Sequence, residues 1–279
     1  MAGALTADAL RALTDSLSND TFASVVSAAG FGGSSGEEDM LAAARLAPNF
    51  YSSFVELHIE QGARLEAAGV PVGVVSAIAA PASLTVDFLG SGGHAGALLM
   101  ADRHDAGLAA AELALAVEAA ALGTRSADTV ATSGLVTLSP GAVNSVPRHS
   151  HLAIDVRDVD GPRRDSVVAT ILGAAARIAA SRGVELRTAM LNSDPPATCA
   201  PGVVAAVEEA AAVLGLPSMR LVSRAYHDSL FMAQITPTGM IFIPCLGGFS
   251  HRPDEFASDE AMRDGVAVLA LTLARLSMA

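Results

Sequence analysis

Four histidines occupy settings that could make them chemical rather than structural: His58, His94, His227 and His251. His58 lies in Phe54-Val55-Glu56-Leu57-His58-Ile59-Glu60-Gln61-Gly62, flanked by apolar residues and with a carboxylate two positions away on each side. A strand would put Phe54, Glu56, His58 and Glu60 on one face; a helix would put Glu56 and Glu60 one turn apart. A hydrogen-bonded core histidine is the plainer alternative. His94 sits among glycines in Gly90-Ser91-Gly92-Gly93-His94-Ala95-Gly96, where backbone can approach a ligand closely, or where a solvated histidine can occupy a flexible loop. His227 belongs to a Tyr226-His227-Asp228 cluster. His251 follows the apolar run Gly239-Met240-Ile241-Phe242-Ile243-Pro244 and a Gly247-Gly248 turn. A histidine delivered just past a buried strand is where ligand and metal sites of α/β sheets concentrate. His104, His149 and His151 lie in polar or strand-edge contexts and read as solvated. Dispersed histidines with acidic neighbours point to metal-assisted hydrolysis. A Ser-His-Asp site would want a Gly-x-Ser-x-Gly elbow, which is absent, as is a GxxxxGK[ST] phosphate loop. The residues alone support a metal- or carboxylate-binding pocket.

The elements that must position these residues can be read in order. Residues 5–30 form one or two short Ala/Leu helices ending at Gly30, and 31–39 a loop. Glu37-Glu38 at its end reads as acidic residues favoured at a helix start rather than as a catalytic pair. A strand over 70–80 is broken at Pro81, a hinge. Residues 82–193 then read strand, helix, strand, strand, helix, strand, the split βαβ or ferredoxin-like order, and Asp194-Pro195-Pro196 marks a boundary. Beyond it come a helix over 201–214, a strand at 220–222, the His227 segment, a strand over 240–243 and a last helix over 259–278. The expectation is an α/β fold: residues 1–80 and 197–279 form one discontinuous domain, and 81–196 an inserted ferredoxin-like α+β lid.

Composition excludes several classes of function. A net charge of −12 disfavours nucleic acid as a partner. A hydrophobic share of 51% allows a sizeable core, but alanine inflates it. No stretch of ~18 apolar residues runs free of charge, glycine or proline, so no membrane span is expected. The start lacks the basic region and apolar core of a signal peptide. Cys199 and Cys245, far apart, read as buried thiols.

Beside this reading stands a resemblance. ELHIEQG (56–62), GVVSAIAAPASL (73–84), GGHAG (92–96), PGAVNSVP (140–147), DVRD (155–158), RAYHDS (224–229) and PTGMIFIP followed by GGFSH (237–251) occur in that order. Together they resemble the amidase/hydantoinase/carbamoylase branch of the M20-like binuclear metallohydrolases. AAPASL with RAYHDS is most similar to the ureidoglycolate amidohydrolases of plants and algae within it. The resemblance implies an incomplete metallohydrolase domain carrying a lid that also dimerises. It implies Mn2+ as a binuclear cofactor, with His58 a ligand of one metal and His251 of the other. It makes His94 a catalytic residue that reaches into the partner subunit's site to stabilise an oxyanion. Gln61, Asn144, Arg157, Tyr226 and His227 become substrate-binding residues, Asn144 and Arg157 holding the carboxylate and ureido groups of a small ureido acid.

The implied reaction is hydrolysis of a linear C–N bond, ureidoglycolate yielding glyoxylate, ammonia and CO2, with allantoate or an N-carbamoyl amino acid as alternative substrates. Family members place His-x-Asp and Glu-Glu upstream of the ELHIEQG motif, supplying further ligands, a bridging carboxylate and a general base. No His-x-Asp is found before Glu56 here and Glu37-Glu38 is not the matching pair, so this chain alone is expected to be inactive. A non-catalytic paralogue or dimer partner is the alternative. The implied compartment is the endoplasmic reticulum, otherwise the cytoplasm.

Overall fold

The computed structural model describes residues 6–15, 18–31 and 37–278. It opens with α1 (Ala7–Ala12), α2 (Phe22–Ala28) and α3 (Glu37–Ala44). Thr6 and Thr21 cap the first two, their hydroxyls accepting from the backbone N–H of Ala9 and Ser24. Residues 32–36 of the expected loop lie outside the described residues; α3 begins at Glu37, as acidic residues at a helix start favour.

β1 (Phe54–Ile59), α4 (Arg64–Ala68) and β2 (Val72–Ile78) follow. β1 is a strand, which settles the two readings of this segment and puts Glu56 and His58 on one face. The expected break at Pro81 is corrected: β3 (Ala80–Leu89) begins after the single residue Ala79 and runs through the proline. A proline is tolerated in the first residues of a strand, and pairing on the second side of β3 starts only at Ala82.

Next come β4 (Gly93–His94), α5 (Ala106–Gly123), β5 (Val130–Ser139), β6 (Ser145–Val146), β7 (His149–Asp158), α6 (Gly161–Arg182) and β8 (Glu185–Ser193). The long strands form an antiparallel sheet in the order β5-β7-β3-β8, the ferredoxin-like arrangement, while β4 and β6 pair as a small separate ribbon. β7 alternates strictly between half-buried and buried residues. Its Leu152, Ile154 and Val156 join Leu84, Val86 and Phe88 of β3 under α5 and α6. The open face is mixed, Thr85, Asp87, Asp155 and Arg157 lying beside exposed Val130 and Leu135. There His149 and His151 are not merely solvated, as their sequence context suggested. Their ring nitrogens lie 2.7 and 2.9 Å from Asp87 Oδ1, because the register sets Asp87 opposite His151. α5 is the one helix among the described residues long and apolar enough to cross a membrane, with a mean hydropathy of 1.5 over 18 residues. Its Ala106, Ala109, Ala110, Leu113 and Val117 are buried on the sheet instead, and Glu112 and Glu118 interrupt it.

β9 (Ala197–Thr198), α7 (Pro201–Val213), β10 (Ser218–Ser223), α8 (Asp228–Met232), β11 (Thr238–Ile243) and α9 (Asp259–Leu276) complete the fold. The second sheet runs β1-β11-β2-β10, with β9 added alongside β2. β1 and β11 are parallel, as are β2 and β10. β11 is buried throughout, as its unbroken apolar sequence requires. Gly265 lets α9 press onto this sheet, since a Cβ there would lie 2.5 Å from Ile243 and 2.8 Å from Leu57. Cys199 and Cys245 are free and buried, and burial pushes the Cys199 thiol up to about 11.

Asp158, at the end of β7, has a side chain with no exposed surface. It accepts from Thr129, from two nitrogens of Arg163 and from the backbone N–H of Asp160. Burial opposes its ionisation, yet those bonds hold its carboxyl below the ordinary range. A carboxyl depressed in the folded state contributes stability above its unfolded value near 3.9 and loses it as pH falls through the lower folded value. Asp158→Ala is expected to cost about 3 kcal/mol at neutral pH. Urea unfolding followed from pH 7 to 3 will show the gap between variant and parent closing only on the acid side of pH 4.

Candidate metal centre

Parallel pairing sets Phe54 to Ile59 against Thr238 to Ile243 residue by residue, with His58 opposite Phe242. The chain therefore leaves both strands at the same edge of the sheet, where the backbone N–H of Glu60 donates to the Ile243 carbonyl over 2.9 Å. The two outgoing loops lock together. Gln61 Nε2 donates to Ser250 Oγ at 2.9 Å, and Gly248, at φ +70°, packs so closely that a Cβ would lie 2.6 Å from Ala63 N. Gln61 and His251 both have φ 57°, a region other residues than glycine use sparingly and which clusters at functional sites. The backbone N–H of His251 donates to Glu255 at 2.9 Å. That bond, then Ser250 and the His251 and His58 imidazoles, hold the Glu255 carboxyl below its ordinary value. Glu60, the third acid of the β1 alternation, instead accepts from the N–H groups of Arg64 and Leu65 at 3.0 and 2.7 Å and caps α4.

Beside His58 stands a tighter group. The ligand atoms of Glu56, His58 and His227 lie within 4.8 Å of one another, and the two imidazoles meet edge to face at 4.8 Å between centroids. Each is oriented from behind. His58 Nδ1 lies 2.8 Å from the Ile59 carbonyl and His227 Nε2 2.9 Å from Ser223 Oγ. Glu56 Oε2 accepts from the N–H and hydroxyl of Ser229 at 2.9 and 2.7 Å. Burial opposes ionisation of Glu56, but the contacts with His227 and Ser229 outweigh it and keep the carboxyl below its usual value. Two imidazoles and an anionic carboxylate suit a divalent transition metal. Glu56 was visible in the alternation around His58. Nothing in the sequence singled out Ser223 or Ser229 as supports.

The other candidates lie farther along the fold. His94 is exposed on the β4–β6 ribbon, its Nδ1 accepting from the Gly96 N–H at 3.0 Å. Asn144 is its neighbour there: its carbonyl accepts from the Ala95 N–H at 2.9 Å, and the adjacent Val143 is fully exposed. Arg157 spans the two sheets, donating to Asp155 at 2.7 and 3.4 Å and to the Arg224 carbonyl at 3.1 Å. Tyr226 donates to Asp194 at 2.8 Å. Burial and that carboxylate push its phenol well above the ordinary range. Tyr226, next to His227 and with its ring 5.4 Å from that of Phe231 on α8, ties the Arg157 contacts to the β1–α8 group, while His94 and Asn144 lie on the separate β4–β6 ribbon.

Residues 1–275 match the model of Peptidase family M20/M25/M40. The chain belongs to that family. It is 57% identical over 229 residues to a ureidoglycolate hydrolase of Oryza sativa subsp. japonica, covering 82% of this chain and 47% of the relative. To a ureidoglycolate hydrolase of Arabidopsis thaliana it is 51% identical over 273 residues, covering 98% and 57%. An N-carbamoyl-L-amino acid amidohydrolase of Geobacillus stearothermophilus is 38% identical over 241 residues, covering 86% and 58%. The crystal structure of AtUAH in complex with (S)-hydroxyglycine superposes with a TM-score of 0.89 at 51% identity, over 98% of this chain and 64% of that one. The chain thus spans about half the length of the curated relatives it matches.

Gly248→Ala tests the loop junction, because the added methyl has backbone rather than a yielding side chain in its way. We expect a loss of about 2 kcal/mol in a denaturant titration, with exchange protection lost first at the amides of residues 60–63.

Proposed function

We propose that this chain provides the carboxyl-terminal portion of a metal-dependent amidohydrolase acting on a linear ureido acid, ureidoglycolate before allantoate or an N-carbamoyl amino acid. The convergence of His58, Glu56 and His227 at the carboxyl edge of the sheet supports this reading, together with the names of the relatives. In it His58 and His251 bind one divalent metal each, Mn2+ being the expected ion, and such ions supply Lewis acidity that polarises the scissile amide and activates water. Gln61 lines the pocket, and Tyr226 and His227 form the opposite wall. Arg157 offers a guanidinium fork to a carboxylate, with Asn144 holding the ureido group. His94 donates to the tetrahedral oxyanion, a contact worth ~3 kcal/mol.

Glu56, Glu60 and Glu255 already accept hydrogen bonds from Ser229, the start of α4 and His251, which makes each a weaker base toward water. We therefore expect no ammonia release from ureidoglycolate by the pure chain with Mn2+. Turnover would overturn that part of the reading. Ligand preference is testable without turnover, since a bound ligand raises the melting temperature. Ureidoglycolate and glyoxylate are expected to raise it more than allantoate does. Arg157→Ala should weaken glyoxylate binding about ten- to hundredfold by calorimetry while leaving the fold intact by circular dichroism.

A homodimer through the lid is part of the proposal. Leu108, Leu115 and Leu122 recur every seventh residue along the outer face of α5 and are all exposed, Leu115 at 68%. The exposed ribbon bearing His94 suits a reach into a partner's site, which favours the second reading of the chain as a dimer partner. Light scattering is expected to give twice the chain mass for the parent and the monomer mass for Leu115→Glu.

A further inference from the structure

We propose that Asp155 is the positioning residue of Arg157, holding one edge of its guanidinium so that the far end is presented to a ligand carboxylate. The inference rests on the reading of Arg157 as a carboxylate clamp and adds the group that aims it.

Residues 155 and 157 are two apart on β7, so strand alternation puts both on the open face of the β5-β7-β3-β8 sheet. Asp155 lies between Ser83 of β3 and Thr132 of β5, and Arg157 between Pro81 and Val130. No acidic side chain therefore stands opposite Arg157 on either neighbouring strand. The carboxylate that meets it comes from its own strand.

A guanidinium carries five N–H hydrogens in one rigid plane. Nε of Arg157 donates to Asp155 Oδ1 at 2.7 Å, and Nη2 lies 3.4 Å from Oδ2, so Asp155 takes the side edge of the fork. Nη1 donates to the Arg224 carbonyl at 3.1 Å. These contacts engage three of the five hydrogens and leave one on each terminal nitrogen. A carboxylate can take such a pair in two parallel bonds. The guanidinium also lies close enough to the Tyr226 phenol for its charge to oppose the rise of that group, which puts it beside the pocket wall.

Asp155 has two opposed effects on an anionic ligand. Its charge repels the ligand's carboxylate. Against that, a loose arginine gives up its rotamer freedom on binding, whereas a fork already fixed does not. The side chains of Arg157 and Asp155 are 30% and 36% exposed, so water and salt screen the repulsion. Positioning outweighs it. Ser83 Oγ, 3.3 Å from Asp155 Oδ2, steadies the carboxylate in turn.

The test measures glyoxylate binding to the whole chain by calorimetry, circular dichroism confirming the fold of each variant. Asp155→Ala is expected to weaken binding about tenfold, and Asp155→Asn, which keeps an oxygen acceptor in place, by less than about threefold. In an Arg157→Ala background Asp155→Ala should cost nothing further, because the residue acts through the guanidinium. The Arg157 Nε–H proton resonance, identified by its loss in Arg157→Ala, should exchange slowly with water in the parent and fast in Asp155→Ala. Asp155→Val, which suits a strand and removes the acceptor, replaces the alanine variant if that one fails to fold. Unchanged or tighter binding in the folded variant would overturn the proposal, tighter binding showing that repulsion dominates. So would an equal loss in the Arg157→Ala background, since Asp155 would then act without Arg157. A parent that binds no glyoxylate overturns the clamp reading and this inference with it, whereas a parent that binds but ignores Asp155 overturns the positioning alone.

Discussion

β1 and β11 run parallel and in register, and every feature of the candidate centre depends on that pairing. It sets His58 two residues before one loop and His251 a short loop beyond the other, so that Gln61 and Ser250 can close the gap with a hydrogen bond. The strands are held by packing. β11 is buried on both faces, Met240, Ile241 and Phe242 join the core with Val74, Val75 and Leu221, and Gly265 admits α9 against the outer strand. A slip of one residue would turn Glu56 and His58 to the opposite face, because strand side chains alternate with a period of two.

The centre places a carboxylate on the half-buried strand β1, beside a buried imidazole. Glu56 stays anionic only because Ser229 and His227 offset the cost of its burial, and the start of α8 brings Ser229 and His227 to it together. The arrangement is economical in chain: α8 is five residues long, yet its first turn and N-cap supply both the Ser229 clamp and the His227 imidazole beside Glu56. The β5-β7-β3-β8 sheet contributes differently. Its covered face is a closed hydrocarbon core, and polar groups join it to the segment that follows β10, Arg157 to the Arg224 carbonyl and Tyr226 to Asp194. Polar junctions of this kind permit relative movement more readily than a merged apolar core.

Much of this was legible in the residues. Alternation around His58, the unbroken apolar run of β11 and the helix–strand order of residues 82–193 follow from side-chain periodicity, a local property. The reading of Pro81 as a hinge failed for a nonlocal reason. A proline's cost in a strand depends on which neighbour pairs at that position, and here the second ladder begins one residue later. His149 and His151 were misread as solvated because Asp87, on another strand, is what they touch.

The sequence by itself determined which residues could serve: imidazoles, carboxylates two positions to either side of one of them, glycines where the backbone must turn through positive φ. These are properties of single residues and short periods. Only the tertiary structure decided which of them meet. It joined His227 to Glu56 and His58, gave Glu60 to the end of α4, and held His94 apart on an exposed ribbon. Hydrogen-bond partners and register are set across strands far apart in the chain, and no local pattern encodes them.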